Sequence, residues 1–325
     1  MIAIGSGAAG PSRPISLHPH EFALLRDLVA ERFGLQYADE LAYLLERRLL
    51  PRVEALGLRS FLDYHDYLTN SAIPESERDH ELSELFELLS TRETYFFRES
   101  YQLDALRKEL LPQLAHARRH SKRLRLLSAG CASGEEAYSL AITLCQSGLF
   151  FDWDLQVIGC DLSQRALDVA RQGVYGRSSF RQVSDEILQQ HFCQQADGRH
   201  KIRDELRRQC RLHFVRANLS AREPEWTRSA EDASELCGPF DVIFCRNLLI
   251  YFARGRRLQL LASLAQRLAP DGVLFLGHSE SLHELKTPFV LHRLAGELVY
   301  RLPQESPMSP SVVHASNASN ARQGG

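Results

Sequence analysis

One stretch, residues 124–140, restricts the possible folds of this chain more than any other. An apolar run is followed there by a turn of small residues over 128–134, and then by Glu135 and Glu136 at the start of a helical pattern. Small residues let a backbone approach a ligand closely, and a helix N-terminus offers unpaired N–H groups. Two acids beside that terminus would repel a pyrophosphate but attract an ammonium or a sulfonium, so the turn favours S-adenosylmethionine over a dinucleotide. An ordinary strand-to-helix connection without a ligand would look the same, and the stretch alone leaves both interpretations open.

Beyond this turn, apolar strands alternate with helices, which predicts a parallel α/β sheet. The second strand ends at Asp161, where an acid commonly binds the hydroxyls of a ribose, although Asp161 could instead cap the following helix. A strongly apolar strand over 240–245 ends in Arg246 and Asn247, at the sheet edge where ligands bind. Residues 173–211 interrupt the alternation, and an insertion of this kind usually carries function or forms a lid.

The part of the chain before the sheet has a different character. Apolar residues recur there at helical spacing among many acids, which predicts a small helical domain. Arg48 and Arg52 are four residues apart and so share one face of its second helix, either as a binding surface or as a solvated face. The predicted boundaries are 1–14 and 303–325 for disordered ends, 15–90 for the helical domain and 91–302 for the α/β domain.

Composition excludes several classes of protein. A net charge of −2 and 44% hydrophobic residues over 325 positions are typical of a soluble globular protein without the basic stripe of a nucleic-acid binder. Membrane insertion is not expected, because apolar runs fall short of the roughly 20 residues of a membrane span. Seven cysteines without a C-x-x-C pair indicate reduced thiols in a cytoplasmic protein, and neither a disulfide set nor a metal site is expected.

Four segments together resemble the CheR family of chemotaxis receptor methyltransferases, over about residues 15–302. They are SAGCASGEEAYSLA, TRETYFFRE, CRNLLIYF and LGHSESL. The resemblance implies a Rossmann-like, S-adenosylmethionine-dependent methyltransferase sheet with an N-terminal helical domain and a small β-subdomain inserted at 173–211. It also implies methyl transfer to glutamate carboxylates on the cytoplasmic domains of methyl-accepting chemotaxis receptors, giving glutamyl methyl esters for sensory adaptation.

The resemblance further implies roles for individual positions. The cofactor-binding positions are Thr94, Arg98, Gly130, Glu135, Asp161, Asn218, Leu219, Arg246 and Asn247. Glu135 would meet the methionine ammonium, Asp161 the ribose, and Asn218-Leu219 the adenine. Arg98 and Tyr251 would lie nearest the transferred methyl group and are the catalytic candidates. Receptor methylation helices are acidic, so Arg48 and Arg52 are expected to contact the substrate. Arg92 stands where the family often has Asn or Thr, and no contact is expected from it.

The chemistry of such a reaction agrees with the residues present. A glutamate side chain has a reference pKa of about 4.3, so it is already an ionised nucleophile at neutral pH and needs no base. Arg98 could hold the carboxylate through paired hydrogen bonds. Two alternatives remain: an S-adenosylmethionine enzyme acting on another protein or a small molecule, and a signalling module that binds the cofactor without turnover. A nicotinamide oxidoreductase is disfavoured by the acids at Glu135 and Glu136.

Overall fold

The computed structural model describes residues 14–90, 93–221 and 230–303. The ends that the sequence predicts to be disordered lie outside these ranges except for Pro14 and Pro303, and so does Arg92. The first range forms the predicted helical domain. Its helices are α1 (Pro19–Phe33), α2 (Ala42–Ala55), α3 (Phe61–Thr69) and α4 (Glu75–Leu89).

A buried carboxylate joins three helices of this domain. Glu81 on α4 is only 2% exposed, and it accepts hydrogen bonds from Nε of Arg52 at 2.9 Å and from the hydroxyl of Tyr64 at 2.8 Å. Because a buried carboxylate needs a compensating charge, the guanidinium of Arg52 is committed to α4. This corrects the prediction that Arg52 and Arg48 offer a shared pair of cations to a substrate.

The second part of the chain is built on a seven-stranded sheet in the order β6-β2-β1-β7-β8-β10-β9. Its strands are β1 (Arg123–Ala129), β2 (Asp154–Asp161), β6 (Arg211–Arg216), β7 (Phe240–Cys245), β8 (Leu268–Leu276), β9 (Val290–Leu294) and β10 (Glu297–Arg301). Strands β1, β2, β6, β7 and β8 pair in parallel, while β10 runs antiparallel to both β8 and β9. The sheet is therefore mostly parallel, which confirms the predicted fold class.

Helices cover the sheet and connect its strands. They are α5 (Ser100–Ala105), α6 (Leu111–Ala117), α7 (Glu135–Gln146), α8 (Gln164–Gln172), α9 (Asp185–His191), α10 (Asp204–Gln209), α11 (Ala230–Glu235) and α12 (Arg254–Arg267). A π-helical turn, Leu106–Leu110, joins α5 to α6. Among the described residues, no helix is both long enough and apolar enough to span a bilayer.

The predicted insertion is a small subdomain with its own three-stranded antiparallel sheet. The strands are β3 (Val174–Tyr175), β4 (Phe192–Gln194) and β5 (His200–Ile202), in the order β3-β5-β4. Phe96 is fully buried against this subdomain, with ring centroids 4.9 Å from Tyr175 and 5.0 Å from Phe192. The aromatic pair in TRETYFFRE therefore anchors the segment before α5 to the inserted sheet.

Two hydrophobic clusters fill the interior. One contains Leu45 of the helical domain together with Leu127 and Ile243 of the sheet. The other contains Phe96 and the buried face of α7, including Leu140. Because the first cluster runs without a break from one domain into the other, the helical domain packs directly against the α/β domain.

Candidate active site

A cavity of about 360 Å³ lies at the carboxyl edge of the parallel strands, between the sheet and the helical domain. Its volume falls in the range of small-molecule sites, and this edge is where ligands bind in open α/β sheets. The helical domain contributes a whole wall, which includes Phe33, Leu35, Tyr37, Arg48, Phe86 and Leu89. The sequence patterns do not predict this wall, because each pattern reports on one domain alone.

The small-residue turn after β1 forms the floor of the cavity. Gly130 lines the cavity with φ +81°, a left-handed conformation that glycine adopts without strain. The Ala132 N–H donates to Oδ2 of Asp161 at 2.9 Å, and Oδ1 of Asp161 accepts from the Ser163 N–H at 2.9 Å. Ser163 caps α8 with its own hydroxyl, so the capping alternative for Asp161 is wrong. Asp161 joins the turn to the end of β2 and lines the cavity.

The two acids at the start of α7 have different environments. Glu135 is 2% exposed, accepts hydrogen bonds from the hydroxyls of Ser133 at 2.7 Å and Ser179 at 3.0 Å, and is not among the residues that line the cavity. Burial raises the pKa of Glu135, although the serine hydrogen bonds oppose that shift. Glu136 lines the cavity instead. The prediction that Glu135 faces the ligand is therefore corrected: the acid on the cavity wall is its neighbour.

Arg246 is a buried cation at the end of β7, with 6% of its surface exposed. Its Nε donates to Oε2 of Glu136 at 2.7 Å, and its Nη1 donates to the carbonyl of Arg98 at 2.7 Å. Oε2 of Glu99 lies 3.7 Å from the same Nη1. The pairing with Glu136 compensates the desolvation of the guanidinium. Arg246 thereby connects the strand end, the first turn of α7 and the backbone at Arg98.

Thr94, Arg98 and Tyr251 all line the cavity, as their predicted roles require. Nη1 of Arg98 donates to the carbonyl of Glu93 at 2.7 Å, which directs the guanidinium along its own segment. The carbonyl of Tyr251 accepts from the Gln36 N–H at 2.9 Å, so the loop after β7 is bonded to the connector between α1 and α2. The two catalytic candidates thus belong to one cavity.

The predicted adenine-binding positions, Asn218 and Leu219, also line the cavity. Nδ2 of Asn218 donates to the carbonyl of Arg32 at 2.9 Å, and its Oδ1 accepts from the Ser220 N–H at 3.1 Å. Arg246 and Asn247 complete the opposite wall. The residues implied by the resemblance are therefore brought together, with the exceptions of Glu135 and Arg52.

Tyr37 and Arg48 line the cavity from the helical domain, and the sequence pattern indicates only Arg48. Both donate to the carbonyl of Leu89, Tyr37 at 3.0 Å and Arg48 at 2.5 Å. Burial raises the pKa of Tyr37, while the charge of Arg48 opposes that shift. Arg48 was singled out as a cation on a helix face, but Tyr37 lies in a connector that carries no motif.

Comparison with known families identifies the family of this chain. Residues 92–295 match the model of the CheR methyltransferase, SAM binding domain, and residues 20–90 match the CheR methyltransferase, all-alpha domain. The chain belongs to the CheR methyltransferase family. Similar proteins are the chemotaxis protein methyltransferase 2 of Vibrio cholerae, 33% identical over 88% of this chain and 93% of that protein, and the chemotaxis protein methyltransferase of Escherichia coli K12, 31% identical over 90% and 93%. The chemotaxis protein methyltransferase of Salmonella typhimurium is 32% identical, with coverage of 90% and 93%.

The cavity of this CheR-family chain fits the cofactor that its SAM-binding domain is named for. Gly130 offers a close backbone approach, and Asp161 offers a carboxylate for ribose hydroxyls. Leu162 and Leu219 supply apolar surface for a base, and Glu136 supplies a negative charge near the helix terminus. The residues present match a ligand that is part apolar and part cationic.

Proposed function

We propose that this protein transfers the methyl group of S-adenosylmethionine to glutamate carboxylates on the cytoplasmic domains of methyl-accepting chemotaxis receptors, and that it acts in the cytoplasm. The observation that carries the proposal is that Arg98 and Tyr251 line the same cavity as Asp161 and Gly130. One cavity thus holds a carboxylate-binding cation beside the positions expected to hold the cofactor. The names of the relatives support a role in chemotaxis.

The cofactor is assigned to the cavity-lining positions Thr94, Arg98, Gly130, Asp161, Asn218, Leu219, Arg246 and Asn247, with Glu136 added in place of Glu135. Asp161 would accept hydrogen bonds from the ribose hydroxyls, and Asn218-Leu219 would bind the adenine. Glu136 lines the cavity on the side where a methionine ammonium would lie, and its Oε2 accepts a hydrogen bond from Nε of Arg246 at 2.7 Å.

The bound cofactor supplies an electrophilic methyl group. The task of the protein is to align a carboxylate oxygen with that group, because positioning alone can account for a large part of a rate acceleration. Arg98 would orient the incoming glutamate through paired hydrogen bonds, and Tyr251 would shape the pocket around the methyl group. Neither acts as a base, since the nucleophile is already ionised at neutral pH.

Arg48 is assigned to substrate contact without Arg52. It lines the cavity from the helical domain, so its positive charge lies on the side opposite the sheet. An acidic methylation helix approaching the cavity mouth would meet this charge.

The decisive experiment is methyl transfer from labelled S-adenosylmethionine to purified cytoplasmic fragments of receptors from the same cell. The expected product releases volatile methanol in alkali, as methyl esters do. A fragment whose methyl-accepting glutamates are replaced by alanine is the control and should take up no label. Alkali-stable label, or label on another protein in a lysate but none on receptors, would contradict the proposal.

A further inference from the structure

The turn that follows β8 contacts the loop that follows β7. Strands β7 and β8 are parallel neighbours with Cys245 opposite Leu276, so their carboxyl ends emerge side by side. The LGHSESL segment occupies this turn, and the proposed function gives it no role. Its Glu280 is the residue through which the two loops are bonded.

Glu280 accepts three backbone hydrogen bonds. Its Oε2 accepts from the Gly277 N–H at 2.9 Å and from the Asn247 N–H at 2.7 Å, and its Oε1 accepts from the Ile250 N–H at 3.3 Å. Hydrogen bonds to a carboxylate are stronger than those between neutral groups. A single side chain therefore fixes two backbone positions in the loop that leads to Tyr251.

The conformation that is fixed is an uncommon one. Asn247 has φ +56°, a left-handed conformation that costs energy for residues other than glycine and persists where the surroundings hold it. Gly277 packs closely against it, since a Cβ on Gly277 would lie 2.9 Å from Nδ2 and 3.0 Å from the backbone N of Asn247. Because Gly277 has no side chain, Asn247 can lie close to the end of β8. Oε2 of Glu280 then holds the Asn247 N–H in that position.

We propose that Glu280 is a positioning residue for the cofactor site, because it holds Asn247 and the turn Leu249–Tyr251 in the orientation in which Asn247 and Tyr251 line the cavity. The inference rests on the proposed function only where it concerns turnover. Its consequences for cofactor affinity and for backbone exchange need no receptor. A failure of the receptor assay therefore leaves these two measurements to decide it.

The test compares Glu280→Ala, Glu280→Gln and Gly277→Ala with the control Ser279→Ala, an exposed residue of the same turn. Binding of S-adenosylhomocysteine is measured by calorimetry, and amide hydrogen exchange is followed in peptides spanning 246–252. Glu280→Ala should weaken binding by about tenfold or more, since it removes hydrogen bonds to a charged acceptor. Exchange in 246–252 should accelerate, while exchange in the β1 and β2 peptides stays unchanged.

The two other variants separate positioning from a loss of folding. A glutamine whose oxygen takes the place of Oε2 keeps the hydrogen bonds from Asn247 and Gly277 and loses the longer one from Ile250. The cofactor affinity of Glu280→Gln should therefore lie between those of the parent and Glu280→Ala. Gly277→Ala should also weaken binding, because both Asn247 and Oε2 of Glu280, each 2.9 Å from the new Cβ, must shift away from it. Ser279→Ala should match the parent. In the receptor assay, the loss should appear in kcat and in cofactor affinity, with the KM for receptor unchanged.

The proposal is overturned if Glu280→Gln and Gly277→Ala both retain the parent affinity and the parent exchange rates. It is also overturned if Glu280→Ala lowers only the melting temperature, because the carboxylate would then stabilise the turn without positioning the site. If Glu280→Ala does not fold, the other two variants decide the matter by the same criteria.

Discussion

At the scale of the residue, the cations near the cavity differ in what they are bonded to. Arg246 is buried and paired with Glu136, whereas Arg98 lines the cavity and donates to a backbone carbonyl of its own segment. A buried guanidinium whose charge is already balanced by a neighbouring carboxylate has little capacity to bind a second one. Arg98 is therefore the better partner for an incoming glutamate.

Replacing Arg98 by alanine should lower kcat by about 100-fold or more, because misplacement of a reacting group has effects of this size. Cofactor affinity should fall by a much smaller factor, since Arg98 is only one of the positions assigned to the cofactor and the others remain. Single-turnover methyl transfer and calorimetry with S-adenosylhomocysteine measure the two quantities. Arg98→Lys is the matched variant, which keeps the charge but not the paired hydrogen bonds, and it should recover only part of the rate. An unchanged kcat in Arg98→Ala would remove Arg98 from the reaction.

Glu135 should make stability depend on pH. Because burial raises its pKa above the ordinary 4.5, the folded protein holds this proton more tightly than the unfolded chain does. The free energy of unfolding then falls as the pH rises from the pKa of Glu135 in the unfolded chain through its pKa in the folded protein. Above the folded-state pKa it no longer changes with the ionisation of Glu135. Glu135→Gln abolishes this loss, so its stability relative to the parent should improve as the pH rises above the ordinary carboxyl value of 4.5.

Urea unfolding at a series of pH values measures this effect. Glu54→Gln changes an exposed glutamate and should leave the pH dependence of the parent as it was. Parallel stability curves for the parent and Glu135→Gln would show that the buried carboxyl titrates normally.

The sequence alone predicts the position of a cavity residue where that residue directly follows a parallel strand. Asp161, Arg246 and Asn247 follow parallel strands, and the carboxyl ends of such strands meet at one edge. The choice between Glu135 and Glu136 could not be made in this way, because successive helical residues point about 100° apart and the rotation of α7 depends on its packing. Tyr37 reaches the cavity only because two domains pack together, which no local pattern reveals.

At the scale of the element, the helical domain depends on one buried ion pair. The side chain of Glu81 is 2% exposed while that of its partner Arg52 is 28% exposed, and without the guanidinium the carboxylate keeps only the hydroxyl of Tyr64 among the two side chains that donate to it. The two residues are 29 positions apart on different helices, which is why the spacing of Arg48 and Arg52 suggested a surface instead.

Arg52→Ala should destabilise the protein by about 3–5 kcal/mol, the cost of leaving a buried charge unpaired. Arg47→Ala, an exposed arginine on the same helix, should change the free energy of unfolding by no more than about 0.5 kcal/mol. The double variant Arg52→Ala/Glu81→Gln should recover part of the loss, since the stranded charge is gone. Denaturant unfolding measures all three, and equal values for Arg52→Ala and Arg47→Ala would show that Glu81 needs no partner.

At the scale of the whole molecule, one hydrophobic cluster belongs to both domains. Leu45 and Val53 of α2 share it with Leu127, Ile158 and Ile243 of the sheet. Neither domain can open without exposing part of this cluster to water, so the two should unfold together.

Urea unfolding should therefore follow a single transition. Trp153 belongs to the α/β part and Trp226 lies outside the described residues, so in a Trp226→Phe variant fluorescence reports the α/β part through Trp153, while far-ultraviolet circular dichroism reports the helices of both parts. The two midpoints should coincide, and saturating S-adenosylhomocysteine should raise both equally. A circular dichroism transition that precedes the fluorescence transition would show that the helical domain melts independently.

The hydrogen bond between the Gln36 N–H and the carbonyl of Tyr251 also bears on how the protein is made. A ribosome releases the helical wall of the cavity before the ends of β7 and β8, so a nascent chain holds one side of the cavity before the other exists. S-adenosylmethionine cannot stabilise any intermediate of synthesis that lacks Asn247 and Tyr251. Until β7 and the loop after it have been synthesised, the apolar side chains of Phe33, Leu35 and Phe86 lack part of the surface that faces them across the cavity, and during this period the growing chain is more exposed to aggregation.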